Sequence, residues 1–195
     1  MMRRSVFALM LAVAASLAAV GASAQMMSGG GSSNNNPMVG GAPMYKTKNI
    51  VENAVNSADH TTLVAAVKAA GLVETLQGKG PFTVFAPTNA AFDKLPAGTV
   101  ETLVKPENKA TLTKILTYHV VAGNYDSKKL MQLIKKGQGQ ASLKTVSGGT
   151  LIARMNGMNG ITLTDEKGGT STVTIADVMQ SNGVIHSVDH VLMPN

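Results

Sequence analysis

The spacing of apolar residues along this chain changes from a helical to a strand repeat at about Ala141. Before that point apolar side chains recur every three or four residues, as at Ile50, Val51 and Ala54, which is typical of amphipathic helices. After it apolar and polar residues alternate, and glycine-containing turns such as residues 147–149 separate the segments. The sequence therefore predicts helices mostly first and an antiparallel meander last, which is an α+β domain.

Two shorter segments interrupt the helical half. The stretch TVFAPTNAAF, residues 83–92, predicts a strand that ends at Pro87, because proline cannot donate to a sheet, followed at once by a helix capped by Thr88 or Asn89. The run TYHVVAG, residues 117–123, is rich in β-formers and predicts another strand ended by glycine. One strand is thus embedded early in the domain and one lies at its middle.

The beginning of the chain has the pattern of an export signal. Arg3 and Arg4 precede an apolar run over residues 6–20, and Ala22-Ser23-Ala24 follows it. The run is shorter than the ~20 residues that a membrane span needs. Residues 1–24 are therefore predicted to be a signal peptide rather than a membrane anchor, and the protein is expected to be secreted or periplasmic.

Residues 25–44 are rich in glycine, serine, asparagine and proline. Such a composition does not offset the entropy lost on ordering, so this segment is predicted to be a flexible linker that leads into a domain over residues 45–195. Methionine thioethers can bind Cu(I). No copper site is expected here, because the methionines are irregularly spaced and lack a neighbouring histidine or cysteine; they are Met26, Met27, Met38 and Met44.

Composition narrows the classes of function. The chain contains no cysteine, which excludes a disulfide framework and a thiol nucleophile. The net charge is +6, but Arg154 is the only arginine after residue 24 and tryptophan is absent, so nucleic acid is not an expected partner. Gly137 and Gly139 lack the third glycine and following helix of a dinucleotide loop. No cofactor is expected.

The last predicted strand contains residue types that are found in hydrolases and metal sites. Ser187, His186 and Asp189 could supply a catalytic triad, but on one strand His186 points away from the other two. His186 and His190 share a face yet lie about 13 Å apart on a strand, too far to ligate one metal ion. The chain is therefore expected to be neither an enzyme nor a metal protein, with His186 a hydrogen-bonded core residue.

Three segments in order resemble one known family. They are TVFAPTNAAF at residues 83–92, YHVVAG at residues 118–123 and NGVIHSVDHVLMP at residues 182–194. Together they resemble the fasciclin domain, an extracellular adhesion and matrix module, over residues 46–194. The resemblance implies a β-wedge or β-sandwich with helices packed around it, in which the first and last segments are neighbours.

The resemblance also implies residues that contact partners. Tyr118-His119 matches a Tyr-His pair that the family uses in adhesion, and Asp177-Val178 resembles the Asp-Ile motif through which animal members engage integrins. Valine replaces isoleucine in this chain. The alternative is structural: Tyr118 and His119 would be packed and hydrogen-bonded, and Asp177 would be a turn or cap residue.

A lysine-rich helix offers a second candidate surface. Asp126 and Ser127 predict a cap for a helix that runs through Lys136, with Leu130, Leu133 and Ile134 facing inward. Its lysines are interpreted first as a solvated helix face, and the functional alternative is weak, salt-dependent contact with anionic glycans or lipid headgroups. These lysines are Lys128, Lys129, Lys135 and Lys136.

The sequence therefore predicts an exported, non-enzymatic fasciclin-domain protein that mediates adhesion or envelope and matrix interaction by binding a protein or a glycan. Two alternatives stay open. One is a small-molecule carrier, or an enzyme, that uses a pocket between the sheet and the helices. The other is a passive structural protein of the envelope.

Overall fold

Seven α-helices and a mixed seven-stranded sheet make up most of residues 36–195, the part of the chain that the structure, a computed structural model, describes. The predicted signal peptide and residues 25–35 of the predicted linker lie outside the described residues. The helices are α1 (Ile50–Ala54), α2 (Thr61–Ala70), α3 (Val73–Gln77), α4 (Asn89–Asp93), α5 (Thr99–Leu103), α6 (Lys109–Tyr118) and α7 (Ser127–Lys136).

Nine strands form within residues 36–195, and those from β5 onward fall in the predicted alternating segments. They are β1 (Met38–Val39), β2 (Ala42–Pro43), β3 (Phe82–Pro87), β4 (Val120–Ala122), β5 (Gln140–Lys144), β6 (Thr150–Asn156), β7 (Gly160–Thr164), β8 (Thr170–Gln180) and β9 (Gly183–Val188). Short 3₁₀ turns cover Ala58–His60 and Pro106–Asn108. The predicted α+β class is confirmed.

Local capping explains where several helices begin. The Thr88 hydroxyl accepts a hydrogen bond from the Ala91 N–H, so β3 passes into α4 with one intervening residue, as predicted. The Asp126 carboxylate caps α7 in the same way, accepting from the Lys129 N–H at 2.7 Å. These signals act within four residues, and the sequence therefore reveals them.

The predicted strand over residues 117–123 is wrong at its start. Helix α6 continues through Tyr118, and only residues 120–122 form β4. Leu112, Ile115 and Leu116 form the buried stripe of α6. Their packing keeps Thr117 and Tyr118 helical despite the β propensity of the following valines, since tertiary contacts override local preference.

The seven-stranded sheet has the order β4-β3-β9-β8-β7-β6-β5. Strands β5 to β9 form the predicted antiparallel meander. Strand β3 pairs in parallel with β9, placing Val84 opposite Ile185, so the first and last family segments are neighbours. A bridge between Val121 and Thr145 joins the two edges, and the sheet nearly closes into a barrel.

Two apolar cores pack on this sheet. The first lies between β3, β9 and the helices up to α6, and it includes the predicted core residues Val84, Val120 and Ile185, with Val191 partly buried against it. The second is enclosed by the meander and covered by α7, whose Leu130 and Ile134 are fully buried. The helices therefore surround the sheet, as the resemblance implies.

The folded part begins earlier than the sequence predicts. Strands β1 and β2 form a two-stranded hairpin inside the segment expected to be a flexible linker. Val39 and Met44 from this hairpin are buried in the first core, exposing 4% and 2% of their surface. The average composition of residues 25–44 does not reveal these two buried apolar residues, because glycine and asparagine dominate it.

Candidate functional site

Tyr118, predicted to contact a partner, has a fully buried side chain. Its hydroxyl donates a 2.7 Å hydrogen bond to the Thr150 carbonyl and accepts one from the Glu166 N–H at 3.1 Å. Burial raises the pKa of the phenol to about 12. Tyr118 therefore joins the end of α6 to the start of β6 and to the β7–β8 turn.

His119, the second member of the Tyr-His pair, is also buried, exposing 2% of its surface. Its Nδ1 lies 2.9 Å from the Ile115 carbonyl, and its Nε2 accepts a hydrogen bond from the Leu192 N–H. An accepting Nε2 requires the neutral ring with its proton on Nδ1. Burial lowers the pKa of His119 to about 4.

Asp177 lies at an irregularity in β8, where the register with β9 shifts. Its φ of +61° is in the left-handed region, which short polar residues tolerate better than most. Its carboxylate accepts hydrogen bonds from the Ser127 N–H at 2.6 Å and from the Ser127 hydroxyl at 2.5 Å. Asp177 thereby attaches the first turn of α7 to the sheet, one form of the predicted cap role.

His186 supports this attachment from the neighbouring strand β9. Its Nδ1 accepts a hydrogen bond from the Asp177 N–H, and its Nε2 lies 2.8 Å from the Tyr125 carbonyl. The ring stacks on Phe85 with centroids 5.6 Å apart. Burial lowers the pKa of His186. This is the hydrogen-bonded core position that the sequence predicts for His186.

Val178, next to Asp177, is buried in the first core and pairs with Ile185 of β9. Within residues 36–195 no hydrogen bond joins Tyr118 or His119 to Asp177 or Val178. A role of these four residues in partner binding stays a prediction. Among the four, Tyr118, His119 and Val178 are buried and Asp177 is partly buried.

The segment that Asp177 attaches carries the lysine-rich surface. Helix α7 exposes four lysines and buries Leu130 and Ile134 on its opposite side. The Lys129 ammonium lies 4.5 Å from the centroid of the Tyr125 ring and donates to the Asn124 carbonyl. We call Lys128, Lys129, Lys135 and Lys136 the α7 lysine face. The ion pairs found within residues 36–195 lie elsewhere, on Asp189.

The structure contains a serine–histidine contact that the sequence did not predict. The Ser187 hydroxyl lies 3.3 Å from Nε2 of His60, and Nδ1 of His60 lies 2.9 Å from the Ser57 hydroxyl. All three side chains are buried, and the third group is a hydroxyl rather than the carboxylate of a triad. The arrangement links the segment before α2 to β9. Its partners are 127 residues apart, and no sequence spacing indicates such a contact.

The other candidates from the last strand have separate partners. Asp189 accepts from the Thr172 N–H and pairs with His190, while His186 contacts Tyr125 and Asp177. Within residues 36–195 no three histidine, aspartate or glutamate side chains come together as ligands for a metal ion. Over the same range no helix has the length and hydropathy needed to cross a membrane.

Comparison with known proteins agrees with this architecture. The sequence model of the Fasciclin domain family matches residues 58–194. Protein sll1483 of Synechocystis sp. is 48% identical over 146 residues, which cover 74% of this chain and 73% of that protein. The cell surface glycolipoprotein MPB83 of Mycobacterium bovis is 37% identical over 123 residues, covering 63% of this chain and 48% of that one.

A solved structure shares the fold. It is the FAS1 domain pair from the insect cell adhesion molecule fasciclin I, which matches with a TM-score of 0.66 at 19% identity. The match covers 75% of this chain and 51% of that chain. At this identity the likeness concerns the arrangement of helices and strands, and it supports the architecture described above.

Proposed function

This chain belongs to the fasciclin domain family, and we propose that it is an exported, non-enzymatic protein that mediates adhesion or matrix interaction by binding a protein or glycan outside the cytoplasm. The predicted signal peptide supports export to the periplasm or beyond. The similarity to MPB83, which is named a cell surface glycolipoprotein, supports a location at the cell envelope.

The α7 lysine face is the observation that carries the proposal. Four exposed lysines lie on one ten-residue helix, and Lys128 and Lys129 are about two helical turns from Lys135 and Lys136. Seven residues of helix span about 10 Å, so the cations form a compact patch. Such a patch attracts partners that carry negative charge, and the attraction weakens as salt screens it.

The four residues implied by the family resemblance then act on binding indirectly. Asp177 holds the first turn of α7 against the sheet by accepting hydrogen bonds from Ser127, and its neighbour Val178 packs in the first core. Tyr118 and His119 are buried within the domain. We expect their substitution to change binding by altering the position of α7 or the stability of the domain.

A pull-down from envelope and medium fractions tests this proposal. The bait is the chain from Gln25, compared with a variant in which all four lysines of the α7 lysine face are changed to glutamine. The matched control changes four exposed lysines elsewhere, so that net charge falls equally; these are Lys46, Lys79, Lys105 and Lys167. Circular dichroism verifies that all three proteins are folded.

The wild type and the matched control should retain the same partner, and the α7 variant should lose it. Elution by salt should release the partner, because the contact is electrostatic. Retention of that partner by the α7 variant would overturn the proposal that the α7 lysine face binds it. Absence of any partner for the wild type would overturn the binding proposal and favour a passive envelope protein. An Asp177→Ala variant should weaken binding without altering the lysines.

A further inference from the structure

An apolar cavity of about 70 Å³ lies in the first core, between the helices α1 to α3 and the strands β3 and β9. Its wall is almost entirely hydrocarbon. Protein cores are normally close-packed with few voids larger than a water molecule, so an apolar space of this size is a candidate ligand site. The lining includes Val39, Leu63, Val67, Leu76, Val84 and Ile185.

Helix α2 runs along the cavity. His60, Val64 and Lys68 all line it at intervals of four residues, which places them on one face of the helix. His60 is buried, Val64 is half-buried and Lys68 is exposed. The eight residue-to-residue steps from His60 to Lys68 span about 12 Å. The cavity lining therefore extends from the interior to a surface end marked by an ammonium group.

The polar side chains at the inner end have partners within the protein. His60 bonds to Ser57 and Ser187, and both ring nitrogens of His119 are engaged. No buried side-chain nitrogen or oxygen within residues 36–195 lacks a hydrogen-bond partner. A water molecule needs two to four polar partners, and the wall does not offer them. The chemistry of the interior selects a hydrocarbon occupant.

The surface end is cationic. Within residues 36–195 Lys68 forms no ion pair, and its side chain makes no hydrogen bond. The Lys109 ammonium lies beside the end of α2, at 3.3 Å from where a Cβ on Gly71 would be. An anionic group at the mouth would therefore meet the ammonium group of Lys68, while a hydrocarbon chain attached to it enters the cavity.

We propose that this cavity binds an aliphatic carboxylate, with its alkyl chain between α2 and the sheet and its carboxylate beside Lys68. By the same measure one water molecule needs about 10–15 Å³, so a cavity of about 70 Å³ has room for the end of a short chain. A longer chain requires the five-residue helices α1 and α3 to move outward.

Calorimetric titration of the chain from Gln25 with butyrate, hexanoate and octanoate tests the proposal. Affinity should rise about fourfold for each added methylene until the cavity is full, since each buried methylene contributes a fixed increment. Hexanol serves as the neutral comparison for hexanoate. Absence of binding by all three acids at millimolar concentration, or an affinity that does not depend on chain length, would overturn the proposal.

Three single variants locate the site. Val67→Leu places an additional carbon in the cavity, which displaces about one methylene of the ligand, and should weaken octanoate binding about fourfold. Lys68→Gln should lower the affinity for hexanoate about two- to fivefold, the range for an exposed ion pair, and leave the affinity for hexanol unchanged. Lys167→Gln, in the exposed turn between β7 and β8, is the matched charge control and should change the binding of neither compound.

Equal losses of hexanoate affinity in Lys68→Gln and Lys167→Gln would show a nonspecific charge effect and overturn the carboxylate position. Octanoate affinity unchanged in a folded Val67→Leu would overturn the cavity as the site. If Val67→Leu does not fold, the chain-length series still tests whether the cavity binds the alkyl chain. The comparison of hexanoate with hexanol in Lys68→Gln still tests the position of the carboxylate. Binding to the envelope partner is measured independently, because the cavity and the α7 lysine face share no residue.

Discussion

At the scale of single residues, buried histidines constrain the protonation state of this domain. His119 accepts the Leu192 N–H at Nε2, and His186 accepts the Asp177 N–H at Nδ1. Both rings must therefore be neutral, with opposite tautomers. Adding a proton would place two N–H groups against each other inside the core. Burial lowers the pKa of both histidines for the same physical reason.

Acid should therefore destabilise the domain. The unfolded chain takes up a proton on His119 near pH 6.5, whereas the folded state does so only near the pKa of about 4. Stability from this residue is complete above pH 6.5 and is lost as pH falls toward 4, because the unfolded state then binds more protons. The loss from His119 amounts to about 3 kcal/mol at pH 4.

Denaturant unfolding at pH 7, 6, 5 and 4 measures this loss, with His119→Gln as the comparison. The variant should be less stable at pH 7, because it lacks the packed ring, but its stability should fall less between pH 6.5 and 4. A pH dependence of the same steepness in both proteins would contradict a titration at His119.

At the scale of elements, the hairpin of β1 and β2 belongs to the folded unit although its composition resembles a linker. Two methionines of this segment have opposite environments: Met44 exposes 2% of its surface and Met38 exposes 59%. The Met44 N–H also donates to the Pro37 carbonyl, closing the hairpin. The environment of each methionine depends on the helices that the hairpin covers.

Met44→Ala should cost about 2–5 kcal/mol of the free energy of unfolding, as expected for a large buried side chain that leaves a cavity. Met38→Ala is the matched control and should change that free energy by less than about 0.5 kcal/mol. Thermal or urea unfolding of the chain from Gln25 measures both. Equal stability of the two variants would show that the hairpin is not packed in solution.

At the scale of the whole molecule, Asn182 ties together segments that are far apart in sequence. Its side chain accepts from the Ile50 N–H and donates to the carbonyls of Leu76 and Gly78. These bonds join the start of α1 and the end of α3 to the turn between β8 and β9. The same turn delivers β9 to its parallel partner β3.

Asn182→Ala should lower the free energy of unfolding by about 2–4 kcal/mol, because three backbone groups lose their partner. Asn159→Ala, in the exposed turn between β6 and β7, is the matched control and should cost less than about 0.5 kcal/mol. Both asparagines precede a glycine in a predicted turn. Urea unfolding measures the difference, and similar values for the two variants would refute the role of Asn182 as a tie between segments.

The sequence by itself determined most of the helices and strands after residue 45 and their order, but not the β1–β2 hairpin or the end of α6. Local features can be recognised from the sequence because they involve residues only a few positions apart. They include the caps at Thr88 and Asp126 and the alternation of apolar and polar residues after Ala141. The family resemblance added that the first and last segments are neighbours, and the structure shows them paired in parallel, with Val84 opposite Ile185.

Only the tertiary structure decided which side chains are buried and which partners they have. Met44 and Met38, or Asn182 and Asn159, look alike in sequence, and their roles differ because distant helices cover one member of each pair. The contact of His60 with Ser187 and the attachment of α7 by Asp177 join residues 127 and 50 positions apart. Such contacts depend on how the packed layers meet, and no local spacing encodes them.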